Sequence, residues 1–389
     1  MRAQGRHGAP GKALQMTGQQ SSASGPPQPR LVKRAGIICQ QVECDVLSDD
    51  EKTLAKLLFG LLKNATSQHV VKDFLRLKGI PISAQNWDDL YDSRIEPALV
   101  AKKIAVSDLR ALLQQVEEYG KQHTFLFSCD KTRAAGLLSP TRIKSIAADE
   151  GLANLFANPI DLELPDSPTI VDIRLNQPDP TKPPASLTIK VVESREIKRF
   201  ASEVKDPVTG DLVRRYATTK KRAVNIVHLD HTGFLEFRVA SQDTQTKYED
   251  LLRSLKNKVR KFLPLDGFTE TSLSSAKTKI LLERDQLADE IRYSNSTARN
   301  EFGSVFQISS SSTDDSLSSD EGSMNALDSF LAEDGHVTGA NIYFKLPDSD
   351  PPRELRLLIS GEVNEFAVTV ACSAGEYEYV RGKVIAFNS

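Results

Sequence analysis

The sequence predicts an α+β fold in several units, and three observations carry that prediction. Apolar residues recur at helical spacing between residues 45 and 157. They alternate at period two from Ser186 to Val239, and they alternate again from Thr338 onwards. Helical and strand periods segregated along one chain define an α+β arrangement rather than alternating βαβ units. The predicted architecture is a helical N-terminal unit, a central antiparallel sheet with packed helices, and a small C-terminal β unit. The corresponding divisions are a tail over 1–34, a helical domain over 35–157, a basic sheet domain over 158–300, an acidic Ser-rich linker over 301–325 and a β unit over 326–389.

The first 34 residues are rich in Gly, Pro, Ser and Gln, and no acid occurs before Glu43. There is no apolar h-region, so a secretory signal is not expected. Gly and Pro also oppose the amphipathic helix of an organellar transit peptide. A disordered tail is the expectation, with Met16 as a second possible start.

Ser48-Asp49-Asp50-Glu51 fits a capping box, and Leu54, Leu57, Leu58, Leu61 and Leu62 follow at helical spacing. A second helix spans about Ser67 to Leu77 and stops at Gly79-Ile80-Pro81. Trp87, Leu90, Tyr91 and Ile95 mark a third, expected to break before Pro97. Ser107 to Tyr119 places Leu109, Leu112, Leu113 and Val116 on one face, with Gly120 after the end. His123 to Phe127 reads as a strand, and Ser139-Pro140 opens another helix. Helices followed by a strand would suit a winged helix. Neither Val70–Leu77 nor Ser107–Tyr119 carries the Arg, Lys and Asn face of a recognition helix, so a packing or adaptor domain is the simpler reading.

Thr169 to Leu175 reads as a strand, and the prolines of Gln177 to Pro184 mark a surface loop. The stretch from Ser186 to Val239 then reads as five short strands, with turns at Asp206–Asp211 and Asp230–Gly233. A helix from about Asp243 to Leu263 should lay Tyr248, Leu251, Leu252, Leu255, Val259 and Phe262 on the sheet. A second long helix is expected from Thr271 to Tyr293. Ser309 to Ser323 should be a flexible linker. Four strands close the chain: Ile342/Phe344, Leu355/Leu357/Ile359, Phe366/Val368/Val370 and Tyr377/Tyr379.

Charge is balanced overall, at −2, but unevenly placed. Arg195 to Arg222 holds nine basic against four acidic residues, whereas residues 300–389 hold 15 acidic against five basic. Such asymmetry favours a charged partner or contact between the two regions. The four cysteines form no C-x-x-C pair, which points to a reducing, cytoplasmic setting rather than a disulfide framework. No apolar run approaches the roughly 18 residues of a membrane span.

Phosphate-loop, dinucleotide, zinc-peptidase and nucleophile-elbow motifs are all missing from the sequence. His228-Leu229-Asp230-His231 brings metal-ligand types together in sequence, but the pair of histidines straddles a turn, and a hairpin turn is the simpler reading. His123 suits the border of a core strand. Pro178-Asp179, followed by Glu196-Ile197-Lys198, resembles the pattern of the PD-(D/E)xK nucleases over about 20 residues. The resemblance implies a divalent cation held by Asp179 and Glu196, with Lys198 assisting. Asp179 falls in a Pro-rich loop where that fold has a strand, and Glu196 beside Arg195, Lys198 and Arg199 is equally a surface ion-pair partner.

The basic stretch itself is the candidate site. It comprises Arg195, Lys198, Arg199, Lys205, Arg214, Arg215, Lys220, Lys221 and Arg222, with Phe200 and Tyr216 among them. Lys256, Lys258, Arg260 and Lys261 on the following helix extend the set. Clustered cations neutralise phosphates or acidic side chains, and exposed aromatics can stack on bases. The sequence therefore predicts a non-catalytic binding or assembly subunit that engages an acidic protein surface or nucleic acid. It predicts no cofactor, no metal site and no catalytic residue. A sequence-independent nucleic-acid-binding protein and a metal-dependent nuclease are the alternatives.

Overall fold

A computed structural model describes residues 47–160, 162–205, 207–241, 247–310, 315–347, 353–359 and 361–388. The tail predicted over 1–34, and residues 311–314 of the predicted linker, lie outside the described residues.

The N-terminal helices follow their sequence signals. Helix α1 (Asp49–Ala65) starts at a complete capping box, in which the Ser48 hydroxyl accepts from the Glu51 amide and Glu51 accepts from the Ser48 amide. Helix α2 (Gln68–Leu77) ends before Gly79, whose positive φ turns the chain. Helix α3 (Trp87–Leu90) does not break before Pro97. It widens into a π turn (Tyr91–Ile95) and continues as α4 (Glu96–Val100). Pro97 thereby sits at the start of a new segment, where its missing N–H is not needed. Helix α5 (Val106–Glu118) completes a core around Leu58, Leu62, Leu75, Leu90, Ile95 and Leu113.

Gly120 opens strand β1 (Gly120–Ser128), followed by helices α6 (Lys131–Leu137) and α7 (Pro140–Asp149) and strand β2 (Thr169–Asn176). The basic stretch is not five short strands. It forms two long ones, β3 (Ser186–Lys205) and β4 (Leu212–Asp230), and then β5 (Phe234–Ala240). The last turn is the expected one. Asp230 accepts from the amides of Thr232 and Phe234, and Gly233 takes φ +100°.

Helix α8 (Tyr248–Val259) and the short strand β6 (Thr269–Glu270) come next. The long helix expected over Thr271–Tyr293 is two elements, α9 (Ser274–Leu282) and strand β7 (Ile291–Arg299). Ala276 and Ile280 from the helix, and Ile291 and Tyr293 from the strand, reach the same core. Their spacing therefore imitates a single helical stripe. Strand β8 (Val305–Ser309) precedes helix α10 (Glu321–Ala332), so the predicted linker ends in order: Leu317 is buried and Asp320 caps α10. Strands β9 (His336–Lys345), β10 (Glu354–Ile359) and β11 (Glu365–Ala371) match three of the four final predictions. The fourth is corrected: Tyr377 and Tyr379 lie in helix α11 (Ala374–Phe387). Ser373 and Glu376 form its capping box, and Tyr377, Val380 and Val384 are its buried face.

The strands form one antiparallel sheet in the order β2-β3-β4-β5-β1-β11-β10-β9-β7-β8, with β6 beside β1. Strand β1 is the hinge of this order. Its Phe125 and Phe127 enter the core under α7 and α8, and Leu126 enters the core under α9 and α11. Alternation along a strand produces this division.

Candidate functional site

Strand β3 outruns its neighbours. It pairs with β2 only as far as Val192, and β4 pairs with β5 only from Ile226. Beyond those points β3 and β4 pair only with each other, out to Lys205 opposite Leu212. Side chains from Lys198 to Lys221 are exposed with few exceptions. A two-stranded ribbon thus projects from the sheet by roughly 25 Å, at about 3.3 Å per residue over Lys198–Lys205. The sequence alone could not show this, because ribbon and sheet share one period.

The register assigns each ribbon residue to a face. Lys198, Phe200, Lys205, Arg214, Tyr216 and Lys220 share one face. Arg199, Arg215 and Lys221 share the other. A bulge between Phe200 and Ser202 keeps the facing pairs aligned on both sides of it. Phe200 lies opposite Tyr216, ring centroids 6.1 Å apart and planes at 79°. Both rings are more than half exposed, at 59% and 54%.

The base of the ribbon consumes part of the basic set. Arg195 is drawn in by Glu193 at 2.5 Å and by the Ala240 carbonyl at 2.9 Å. Arg222 binds Glu117 at 2.8 Å and the Glu163 carbonyl. Glu117 also holds buried Lys190 at 2.7 Å, and neighbouring Glu118 holds Arg174 at 2.7 Å. The two acids ending α5 therefore staple the helical unit to the sheet. Lys220 pairs with Asp166 at 2.6 Å, and that hydrogen bond raises the lysine above its ordinary value. Arg214 pairs with Glu203 at 2.6 Å along the exposed ribbon. Arg195 and Arg222 are thus structural cations. Lys198, Arg199, Lys205, Arg214 and Arg215 remain on the projecting part, and Lys220 and Lys221 lie at its base opposite Glu196 and Arg195.

The basic helix does not join them. Lys256 lies over the Phe127 ring at 4.3 Å, where burial lowers its pKa. Phe127 pairs with Leu235, and Leu235 with Leu229. Lys220 lies nine residues along β4 from that level, roughly 30 Å away. Arg260, exposed just past the end of α8, lies one turn beyond Lys256, whereas Lys258, two residues from each, falls on another side of the helix.

The other candidates are dispersed. Asp179 turns its own loop by accepting from Thr181, while Glu196 stands opposite Lys220 on the ribbon. Asp179 lies in the loop before β3, whereas Glu196 stands ten residues into the strand from Ser186, roughly 33 Å along it. The cation site implied by the nuclease resemblance does not assemble. His228 packs half-buried against Thr188, its Nδ1 2.9 Å from the hydroxyl, and desolvation drops its pKa to about 4. His231 is exposed in the turn and its amide donates to the Ala185 carbonyl. His123 stacks on Tyr248 at 3.8 Å and pairs with Glu365. Among the described residues, no group of three or more His, Cys, Asp or Glu could hold a metal ion. No described helix is long and apolar enough to cross a membrane.

One polar cluster escaped the sequence reading. Glu236, fully buried on β5, binds Arg238 at 2.8 Å, Arg381 of α11, and the Tyr377 hydroxyl at 2.9 Å. These cations hold its carboxyl down to about 2 against the opposing effect of burial. The alternating run Leu235-Glu236-Phe237-Arg238-Val239 reads as a strand with a wet face. Only the tertiary covering by α11 makes that face an interior.

No protein-family model, curated protein or solved structure matches this chain.

Proposed function

We propose that the chain is a non-catalytic binding or assembly subunit that engages an anionic partner, nucleic acid or protein, through the β3–β4 ribbon. One observation carries this reading: the sheet extends two strands past its own core and lines them with exposed cations and a pair of exposed aromatic rings. A ribbon of that length buries little of its own surface, so its intramolecular gain is small. Its charge makes it a poor template for self-pairing and a good one for polyanions. A reducing, cytoplasmic setting belongs to the same reading, and Cys129 and Cys372 are free thiols.

The test is a shortened ribbon, in which a two-residue turn joins Ile197 to Lys220. Intact and shortened proteins are titrated with a duplex DNA of about 30 base pairs, its single strand and polyglutamate, at about 50 and 200 mM salt. Salt-dependent binding of at least one polyanion, lost on shortening, is expected. Equal behaviour of the two proteins on all three probes would remove the ribbon from the function.

A further inference from the structure

We infer that the partner of the ribbon is double-stranded DNA, and that the ribbon enters the major groove with its two faces toward the two phosphate walls. The inference rests on the binding role proposed above and narrows its partner.

The distribution of cations between the faces is the first argument. Lys198 and Lys205 lie on the aromatic face, Arg199 and Arg215 on the opposite one. An acidic protein surface is met by one face of a ribbon and leaves the other in water. Cations on that outer face would then add little, because solvent and salt screen them. A groove has negative charge on both sides, so both sets contribute.

Dimensions are the second argument. Paired strands stand about 4.8 Å apart, and side chains give a sheet layer a thickness of about 10 Å. The B-form major groove is about 12 Å wide and 8.5 Å deep and admits a two-stranded ribbon. The deep, narrow major groove of A-form RNA does not admit such side chains. The roughly 25 Å of projecting ribbon is more than the groove depth requires.

Placement of the acids is the third. The projecting part holds five cations against Glu203 and Asp211 among the described residues. Glu203 is neutralised by Arg214, and Asp211 ends the turn, in which Val208 is 91% exposed. Cations therefore line the shaft, where phosphates would pass. The turn offers small and apolar groups suited to base edges and thymine methyls. The Phe200–Tyr216 pair, with each ring set edge to face against the other, packs as a unit against the groove wall rather than opening to stack single bases.

Two double variants separate the possibilities: Lys198→Gln with Lys205→Gln on one face, and Arg199→Gln with Arg215→Gln on the other. All four positions are exposed, and unchanged circular dichroism confirms the fold of each variant. Binding is measured to the same duplex, single strand and polyglutamate. Groove entry predicts that each variant weakens duplex binding by about 10- to 50-fold at physiological salt. Each should also lower the salt slope by about 2, because two phosphate contacts are lost. Duplex binding that depends on one face only, or binding to polyglutamate or single strand that equals or exceeds duplex binding, would overturn the inference. Either result would still leave the ribbon as a polyanion-binding element. Failure of all three probes to sense the shortened ribbon would instead overturn the underlying reading.

Discussion

Arg381 and Glu236 form an ion pair inside the protein, across the boundary between α11 and the sheet. Arg381 also reaches Asp230 at 2.9 Å, so one guanidinium ties the helix to two positions of the β4–β5 hairpin. Removing it leaves Glu236 fully buried with Arg238 and Tyr377 as its remaining partners. Arg381→Met is expected to destabilise by about 3–5 kcal/mol, the usual result of orphaning one member of a buried charge network. Arg253→Met, at an exposed pair with Asp250, should change stability by less than about 0.5 kcal/mol. Urea midpoints of the two variants provide the comparison, and equal shifts would refute the difference.

His228 makes stability depend on pH. Its folded pKa is about 4, below the ordinary 6.5, because burial disfavours the charged ring. The unfolded chain therefore binds a proton first. Stability from this group is complete above about pH 6.5 and falls as pH drops towards 4. Between pH 7.5 and pH 5 the loss is about 2 kcal/mol. Glu236 acts lower, losing its contribution as pH falls from 4.5 towards 2. Urea unfolding of wild type and His228→Gln at pH 7.5, 6 and 5 tests the first window. The variant should show a flatter dependence, and parallel curves would exclude His228 as the cause.

Two glycines with similar φ should respond differently to alanine. Gly120 has φ +81°, and a Cβ there would lie 2.0 Å from the Val370 carbonyl oxygen of β11. Gly151 has φ +70° and open space around it. Gly151→Ala should cost about 1 kcal/mol, from left-handed strain alone. Gly120→Ala must in addition push β1 away from β11, and should lose more than about 3 kcal/mol. Thermal or urea unfolding gives both values. A Gly120→Ala cost no larger than that of Gly151→Ala would show that the close approach is not maintained in solution.

The ribbon and its base should separate in stability. Glu117→Ala removes the carboxylate shared by Lys190 and Arg222, leaving a buried ammonium whose nearest acid is Glu118 at 3.9 Å. A loss of about 3 kcal/mol is expected. Glu203→Ala, which frees the exposed Arg214, should be nearly neutral. Amide exchange should show the same boundary. Hydrogen bonds beyond Ile197 and Thr219 should open far more readily than those at Val191 and Val227. Uniform protection along β3 would contradict an independent ribbon.

Much of this architecture was legible where local chemistry and tertiary demand agree. The capping box at Ser48, the helix at Ser139-Pro140 and the alternation at Leu355, Leu357 and Ile359 each name their element unaided. The failures share a cause. Ile291 and Tyr293 continue a helical stripe on paper because a strand and a helix feed one core. Tyr377 and Tyr379 alternate like strand residues, whereas the capping box of Ser373 and Glu376 before them signals a helix. In the site, the sequence marked the cations but not their partners. Arg195 and Arg222 look like Arg199 and Arg215 until Glu193 and Glu117 are in place. Lys256 looked continuous with the ribbon because nearness along the chain says nothing about which end of a strand a helix covers.

The position of β1 also sets a schedule for biosynthesis. The strand is made early, yet it is flanked by β5 and β11, and Thr124 meets Phe366 only after some 240 further residues have been translated. At 5–20 residues per second that interval is about 12–50 s. Until then the edge of β1 opposite β5 is covered only by the two residues of β6, and the core around Leu126 lacks its β11 and α11 members. The nascent chain must keep that edge from pairing with another copy, which makes the interval before β11 emerges the period of greatest dependence on chaperones.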